Sequence, residues 1–376
     1  MNKRLLQSGV GRHAVVFAGI AAALAGTAGA ALAQSPVRVF GTIDASVERV
    51  ATGDPGAAGT LRVSSGSGRT SRLVFEGNED LGAGAYAKFF IDIGFWADSG
   101  ANYPTGPGAT GLFGRRSVLG FGARDWGGVT IGREYTPQFW VQLKGDIAAN
   151  AYYGSLPNRS RHNSVRASNA IEYTSPSLAG VTLVALWSAG AVAANGGAEA
   201  SAAPFDEGRQ KGASIEYADE RLFVAAAYGT TASKDGAAAT FSVGASDATL
   251  VIKYRFDGVT LNASCSRVDP PGANNVIGAV IVGAMRRVTA VSQLGLQLSY
   301  SRQDAPIGRA PAEKTMSLHA SYDLSKRTML YANYARQANN SSSNQPLIAS
   351  IGPNTIVPKT KGTTLSAFQL GMSHNF

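Results

Sequence analysis

Apolar and polar residues alternate with a period of two along nearly the whole chain. In "VRVFGTIDASVERV", Val37, Val39, Ile43, Ala45 and Val47 share one parity, and Arg38, Thr42, Asp44, Ser46 and Glu48 the other. In "GAYAKFFIDIGFW", Ala85, Ala87, Phe89, Ile91, Ile93 and Phe95 oppose Tyr86, Lys88 and Asp92, and "ATLVIKYRF", "QLGLQLSYSR" and "TMSLHASYDL" repeat the scheme. This is the signature of strands with one apolar and one polar face. The final segment, "AFQLGMSHNF", keeps the period to the last residue, with Phe368, Leu370, Met372, His374 and Phe376 on one side. A terminus usually frays unless something pairs with it, so this pattern predicts a partner for the last strand.

The connections are of two kinds. "EDLGAGA", "ARDWGG", "SPSLAG", "ADER", "FDG", "RRVTAVSQ" and "DLSKR" are short, and most carry turn residues. Between them lie longer polar segments at 51–69, 97–113, 134–164, 189–210, 231–245, 268–275, 303–313 and 338–364. Strict alternation of short turns with long loops predicts sixteen strands with one end trimmed and the other elaborated. A soluble sandwich has no need of that asymmetry. A closed antiparallel barrel in a membrane does, with apolar residues toward lipid, polar residues toward the lumen, and no free edge because the last strand meets the first. The expected fold is therefore all-β, a sixteen-stranded antiparallel transmembrane barrel with short periplasmic turns and long extracellular loops.

Composition refines this picture at the N-terminus. Residues 1–33 carry Lys3, Arg4 and Arg12, then "AVVFAGIAAALAGTAGAALA", and end on Ala31-Leu32-Ala33, which reads as a cleaved export signal. The alternative is a membrane-anchoring helix, since the run is about long enough to span a bilayer. Residues 34–376 then form one barrel domain. Loss of the segment lowers the formal charge from +9 to about +6. Cys265 is the only cysteine, so no internal disulfide forms.

Catalytic and metal chemistry find little support. Beyond residue 33 the histidines are His162, His319 and His374, with no nucleophile motif beside them and no ligand cluster at metal spacing. No cofactor, metal or nucleic-acid partner is expected.

The chain resembles the trimeric general porins of Gram-negative outer membranes, in their proteobacterial branch. The resemblance rests on "VFGTIDASV", "SRLVFEGNEDLGAGAYAKF", "LFGRRSVLGFGARDWGGVTIGREYTP", "NAIEYTSPSLAGVTL", "YDLSKRTMLYANYA" and the terminal Phe376. It implies passive diffusion of small hydrophilic solutes and ions, a homotrimer, contact with outer-membrane lipid and lipopolysaccharide, and recognition of Phe376 by the barrel-assembly machinery. It also implies a third loop folded into the barrel against a basic ladder at Arg72, Arg115, Arg166 and Arg133.

Parity places Arg72 and Arg166 toward the lumen, together with Arg38, Asp44, Lys88 and Asp92. Arg115 and Arg116 are adjacent, so one should face each way, and the resemblance favours Arg115. Arg133 shares parity with Val129 and Ile131 and needs a bulge to face inward. The inward loop is expected within 134–164, with Glu134 at its start, then Trp140, Lys144 and Asp146. Trp140 stands where the family usually carries an acid, so the constriction should be net positive and favour small anionic solutes. A substrate-specific channel is the alternative, followed by a surface adhesin or hydrolase barrel.

Overall fold

The computed structural model describes residues 37–102, 112–148, 153–159, 165–189, 209–232, 245–270, 276–303, 308–347 and 356–376. The export segment and His162 lie outside them. Seventeen strand segments form one antiparallel sheet: β1 Arg38–Ala51, β2 Thr60–Ser65, β3 Arg72–Gly82, β4 Ala85–Gly94, β5 Arg116–Ala123, β6 Gly127–Tyr135, β7 Arg166–Thr174, β8 Val181–Ser188, β9 Gln210–Ala218, β10 Leu222–Thr231, β11 Ser246–Phe256, β12 Val259–Asp269, β13 Ile277–Thr289, β14 Ser292–Gln303, β15 Ala312–Asp323, β16 Thr328–Asn339 and β17 Thr364–Asn375.

Segments β2 and β3 occupy one stave of the wall. Both pair with β1, β3 along Arg38 to Thr42 and β2 along Ala45 to Val50, so the barrel has sixteen staves. The expectation of an unbroken loop over 51–69 is thus corrected, because part of it is wall. Between the two halves, residues 66–71 leave the sheet and fold over Asp44. The backbone amides of Ser67, Gly68 and Arg69 and the hydroxyl of Tyr331 all donate to its carboxylate. The extra residues between the two registers are even in number, so the inward and outward faces keep their phase.

Outward positions are exposed and apolar: Val39, Ile43 and Val47 on β1, Leu119 and Phe121 on β5, Leu294, Leu296 and Leu298 on β14. Inward positions are polar, with Gln297, His319, Asn333, Gln337 and Gln369 all buried within the barrel. No described helix is long and apolar enough to cross a membrane. Outside the wall, Asp54 accepts from the amides of Lys359 and Thr360, which joins the first long loop to the last and holds its carboxyl down at about 2.

The chain end closes the cylinder. β17 pairs with β1 from Thr42 opposite Asn375 to Ala51 opposite Ser366, and Gly41 and Phe376 exchange two backbone hydrogen bonds of 3.1 Å. The Phe376 ring lies against Gly41, where any Cβ would run into the Arg72 carbonyl and that ring. Gly41→Val should therefore cost about 3 kcal/mol by overpacking. Folded yield, read as the compact electrophoretic mobility lost on heating, should fall severalfold. Wild-type yield would show that this seam does not limit closure.

Candidate functional site

The loop between β6 and β7 folds into the barrel. It opens with helix α1, Pro137–Gly145, whose start is specified by Thr136 as N-cap, its hydroxyl accepting from Phe139, and by proline at the first turn. A short second helix, α2 Leu156–Arg159, follows.

From α1 onward the loop lies along one side of the wall. Gln138 donates to Asp247 on β11 (2.8 Å) and Lys144 pairs with Glu216 on β9 (2.6 Å). Lys253 of β11 donates to the Lys144 carbonyl, and Asn262 of β12 to that of Gly145. Farther along, Tyr153 donates to Glu48 on β1 (2.8 Å) and Arg159 to Gln337 on β16 (2.6 Å). Val141 and Leu156 pack with Ala225, Ala227, Val251 and Ile281 of the wall. The loop thus covers the inner face from β8 round to β1, and leaves β3 to β7 as the uncovered side of the constriction.

That uncovered side carries the arginines. Arg72 on β3 and Arg115, just before β5, both approach Asp92 of β4, at 3.5 and 2.9 Å. Arg116 holds Glu134 at 2.6 Å and lies 4.9 Å from the Phe90 ring centre and 5.9 Å from that of Trp140. Arg166 stacks over Tyr135 at 4.6 Å, with Nη2 donating to its hydroxyl at 3.1 Å. Tyr135 in turn stacks on Phe139 and meets Trp140 edge-on. An aromatic cluster therefore braces the mouth of the loop against the basic wall. Lys88 sits lower on β4, with its Nζ 5.8 Å from the Tyr86 ring centre.

Several expectations need correction. Arg115 and Arg116 do not face opposite ways: β5 begins only at Arg116, so the alternation does not govern Arg115 and both reach inward carboxylates. Arg116 was legible, because it opposes the outward Leu119 and Phe121. A register shift does lie beside Arg133, between Gly132 and Glu134, with Ser168 and Asn169 as the doubled residues of β7 and Asn169 at φ 52°. Arg133 stays opposite Ser117 and donates to the Gly114 carbonyl and the Ser168 hydroxyl, tying the rims of β5 and β7. The same bulge removes the parity argument for Arg166, whose guanidinium is held beside the inward helix by Tyr135, itself stacked on Phe139.

Asp44 and Asp92 are on the lumenal side but covered, the first by the 66–71 excursion and the second by arginines. Glu134 belongs to β6 rather than the loop and is likewise buried. Asp146 does not face the arginines. It accepts from Ala148 N, Leu156 N and Gln297 Nε2 at 3.1–3.2 Å, and so secures the loop to itself and to β14. Arg38 lies at the turn end, 68% exposed beside Glu76. His319 contacts Asn333 inside the wall, and His374 on the outer face meets Thr328. Sequence reasoning missed Glu172, a buried inward carboxylate on β7, and the Tyr153–Glu48 anchor, which no local pattern announces. Among the described residues no cluster suits a metal ion.

Comparison with known proteins agrees with this architecture. A family model described as Gram-negative porin matches residues 21–342. Outer membrane porin protein 32 of Delftia acidovorans is 28% identical over 338 residues, covering 86% of this chain and 90% of that protein. An outer membrane porin protein of Bordetella pertussis is 29% identical over 185 residues, covering 43% of this chain and 44% of that protein. Among solved structures, the anion-selective porin from Comamonas acidovorans superposes with TM-score 0.72 at 22% identity, over 91% of this chain and 100% of that one. OmpF of Salmonella typhi, solved with daunomycin, gives 0.65 at 14% identity over 91% and 98%. A sixteen-stave barrel, polar within and apolar without, with a loop lining its lumen and a family match over most of its length, makes this chain a member of the Gram-negative porins, outer-membrane channels for passive diffusion.

Proposed function

We propose that the channel prefers anions, and that the basic wall opposite the inward loop sets this preference. The observation that carries it is the division of charge. The uncovered side presents Arg72, Lys88, Arg115, Arg116 and Arg166 against Asp92, Glu134 and Glu172, while the loop's own carboxylate, Asp146, serves as an internal tie and Trp140 contributes no charge. Fixed guanidinium groups on a narrow water column select anions, and low-dielectric walls focus their field. The Comamonas porin of the same architecture is anion-selective, and the same preference is proposed here.

Further parts of the proposal follow from the family. Residues 1–33 are removed on export, the barrel works as a homotrimer without enzymatic activity or cofactor, and Phe376 is read by the assembly machinery. The test of selectivity is the zero-current potential of purified protein in a planar bilayer under a potassium chloride gradient. Its sign should report chloride as the more permeant ion, and the cation sign would overturn the proposal.

A further inference from the structure

We infer that the inward loop carries a binding site for aromatic carboxylates, with Trp140 stacking on the solute's ring and Arg116 and Lys144 holding its carboxylate. The inference rests on the anion preference proposed above and names the class of anion. Helix α1 buries Gln138, Val141, Gln142 and Gly145 against the wall. Trp140, Leu143 and Lys144, which share a face by helical spacing, are left on its lumenal side. That side is apolar but for one cation, and it holds no acid. The basic wall adds a second ring. Phe90 lies on the inward face of β4 with Lys88 and Asp92, opposite the buried Val118 of β5. Arg116 reaches both aromatics, 4.9 Å from the Phe90 ring centre and 5.9 Å from that of Trp140.

Fixed charge alone selects by sign, and a hydrated inorganic anion gains nothing from an indole. Apolar surface rimmed by charge suits a solute that has both an apolar body and a charged head. Trp140 is only half-buried, and Tyr135 meets it edge-on with ring centres 5.1 Å apart. Its ring is therefore held in place with part of its surface toward the lumen, ready for an offset stack. The head group is provided for on both sides of the passage. Lys144 is 44% exposed beside Glu216, and its Nζ stands 6.0 Å from the Trp140 ring centre. A carboxylate on a ring resting against Trp140 thus meets Lys144 from the loop or Arg116 from the wall. An ammonium keeps donors beyond the one that Glu216 takes, and a guanidinium suits a planar carboxylate. A saturated ring acid gains the charge contacts without the stack, and acetate gains the charge contacts alone.

The test titrates the chloride current of single channels in planar bilayers with the potassium salts of benzoate, cyclohexanecarboxylate and acetate. Benzoate should block at a concentration roughly three- to tenfold below that of cyclohexanecarboxylate, the range that an aromatic pair contributes beyond its area, and acetate should block least. The order is diagnostic, because the saturated ring is the more apolar and would block first if apolar character alone governed binding. Trp140→Leu should abolish the lead of benzoate, and Trp140→Phe should keep it. Lys144→Gln should weaken both ring acids alike and leave their ratio. An equal or reversed order in wild type, or a lead that survives Trp140→Leu, would overturn the assignment; the wild-type order decides even if the leucine variant fails to fold. The zero-current potential in potassium chloride, read on the same protein, separates this inference from the one beneath it. Absence of block with the chloride sign overturns the aromatic site alone, whereas the cation sign overturns the anion preference as well.

Discussion

Replacing Arg72 and Arg166 together with alanine is expected to lower the chloride-to-potassium permeability ratio roughly tenfold, at the low end of what focused charge in a cleft achieves. The pair is chosen because its removal leaves the rest of the wall in order. Asp92 keeps Arg115 at 2.9 Å when Arg72 is lost, and Tyr135 keeps its stack on Phe139 when Arg166 is lost. Two positive charges therefore disappear without stripping Asp92 of its nearer arginine. The Arg72 side chain is 40% exposed, so its charge acts on solvent and not only on Asp92. Arg116→Ala makes a useful contrast: it removes the arginine that holds Glu134 and should shift the ratio further per charge removed. Zero-current potentials of the three proteins, measured at two salt concentrations, check this. The shift should shrink at high salt because screening shortens the reach of each charge. A ratio that does not move would show that the selecting charges lie elsewhere.

The barrel was legible because a lipid-facing sheet imposes its period on every stave, from Val39 on β1 to Met372 on β17. Loop lengths were legible for the same reason: a barrel trimmed at one end leaves its asymmetry in the spacing of polar segments. What escaped were places where the backbone departs from that period for tertiary reasons. "TLRVSSGSGRTSR" reads as loop, yet its first six residues are wall, because β1 is long enough to pair with both halves of a broken stave and Asp44 supplies a carboxylate for the excursion to fold over.

The bulge at Ser168 and Asn169 left only a faint trace, an asparagine, whose tolerance of positive φ suits it to the position. Arg116 was set facing outward because alternation was carried one residue past the start of β5, to Arg115, although both reach inward carboxylates. The loop's course was the least legible part. Its ties run to β1, β9, β11, β12, β14 and β16, residues far away in sequence that meet it only when the cylinder is closed.

Those ties make the second large effect. Asp146→Ala should free the middle of the inward loop and turn a steady pore into a fluctuating one. The carboxylate receives hydrogen bonds from two amides of the loop itself and one from Gln297, and it is only 9% exposed. Hydrogen bonds to a charged group contribute about 1.5–3 kcal/mol each, and their sum is reduced where freed amides reach water, so a loss of about 3 kcal/mol in loop docking is a fair expectation. That shifts the balance of docked and undocked loop by about a hundredfold. The barrel should remain folded, since no strand pairing depends on Asp146. Single-channel records should therefore show excess open-channel noise and brief closures in the variant, with unchanged heat-sensitive mobility. The anion preference should persist in the open level, because the wall from β3 to β7 is untouched. Asp146→Asn separates charge from shape: an amide oxygen can still accept from Ala148 and Leu156, so most of the quiet behaviour should return. A quiet alanine variant would place the loop's hold in its other anchors, Lys144 on Glu216 and Tyr153 on Glu48.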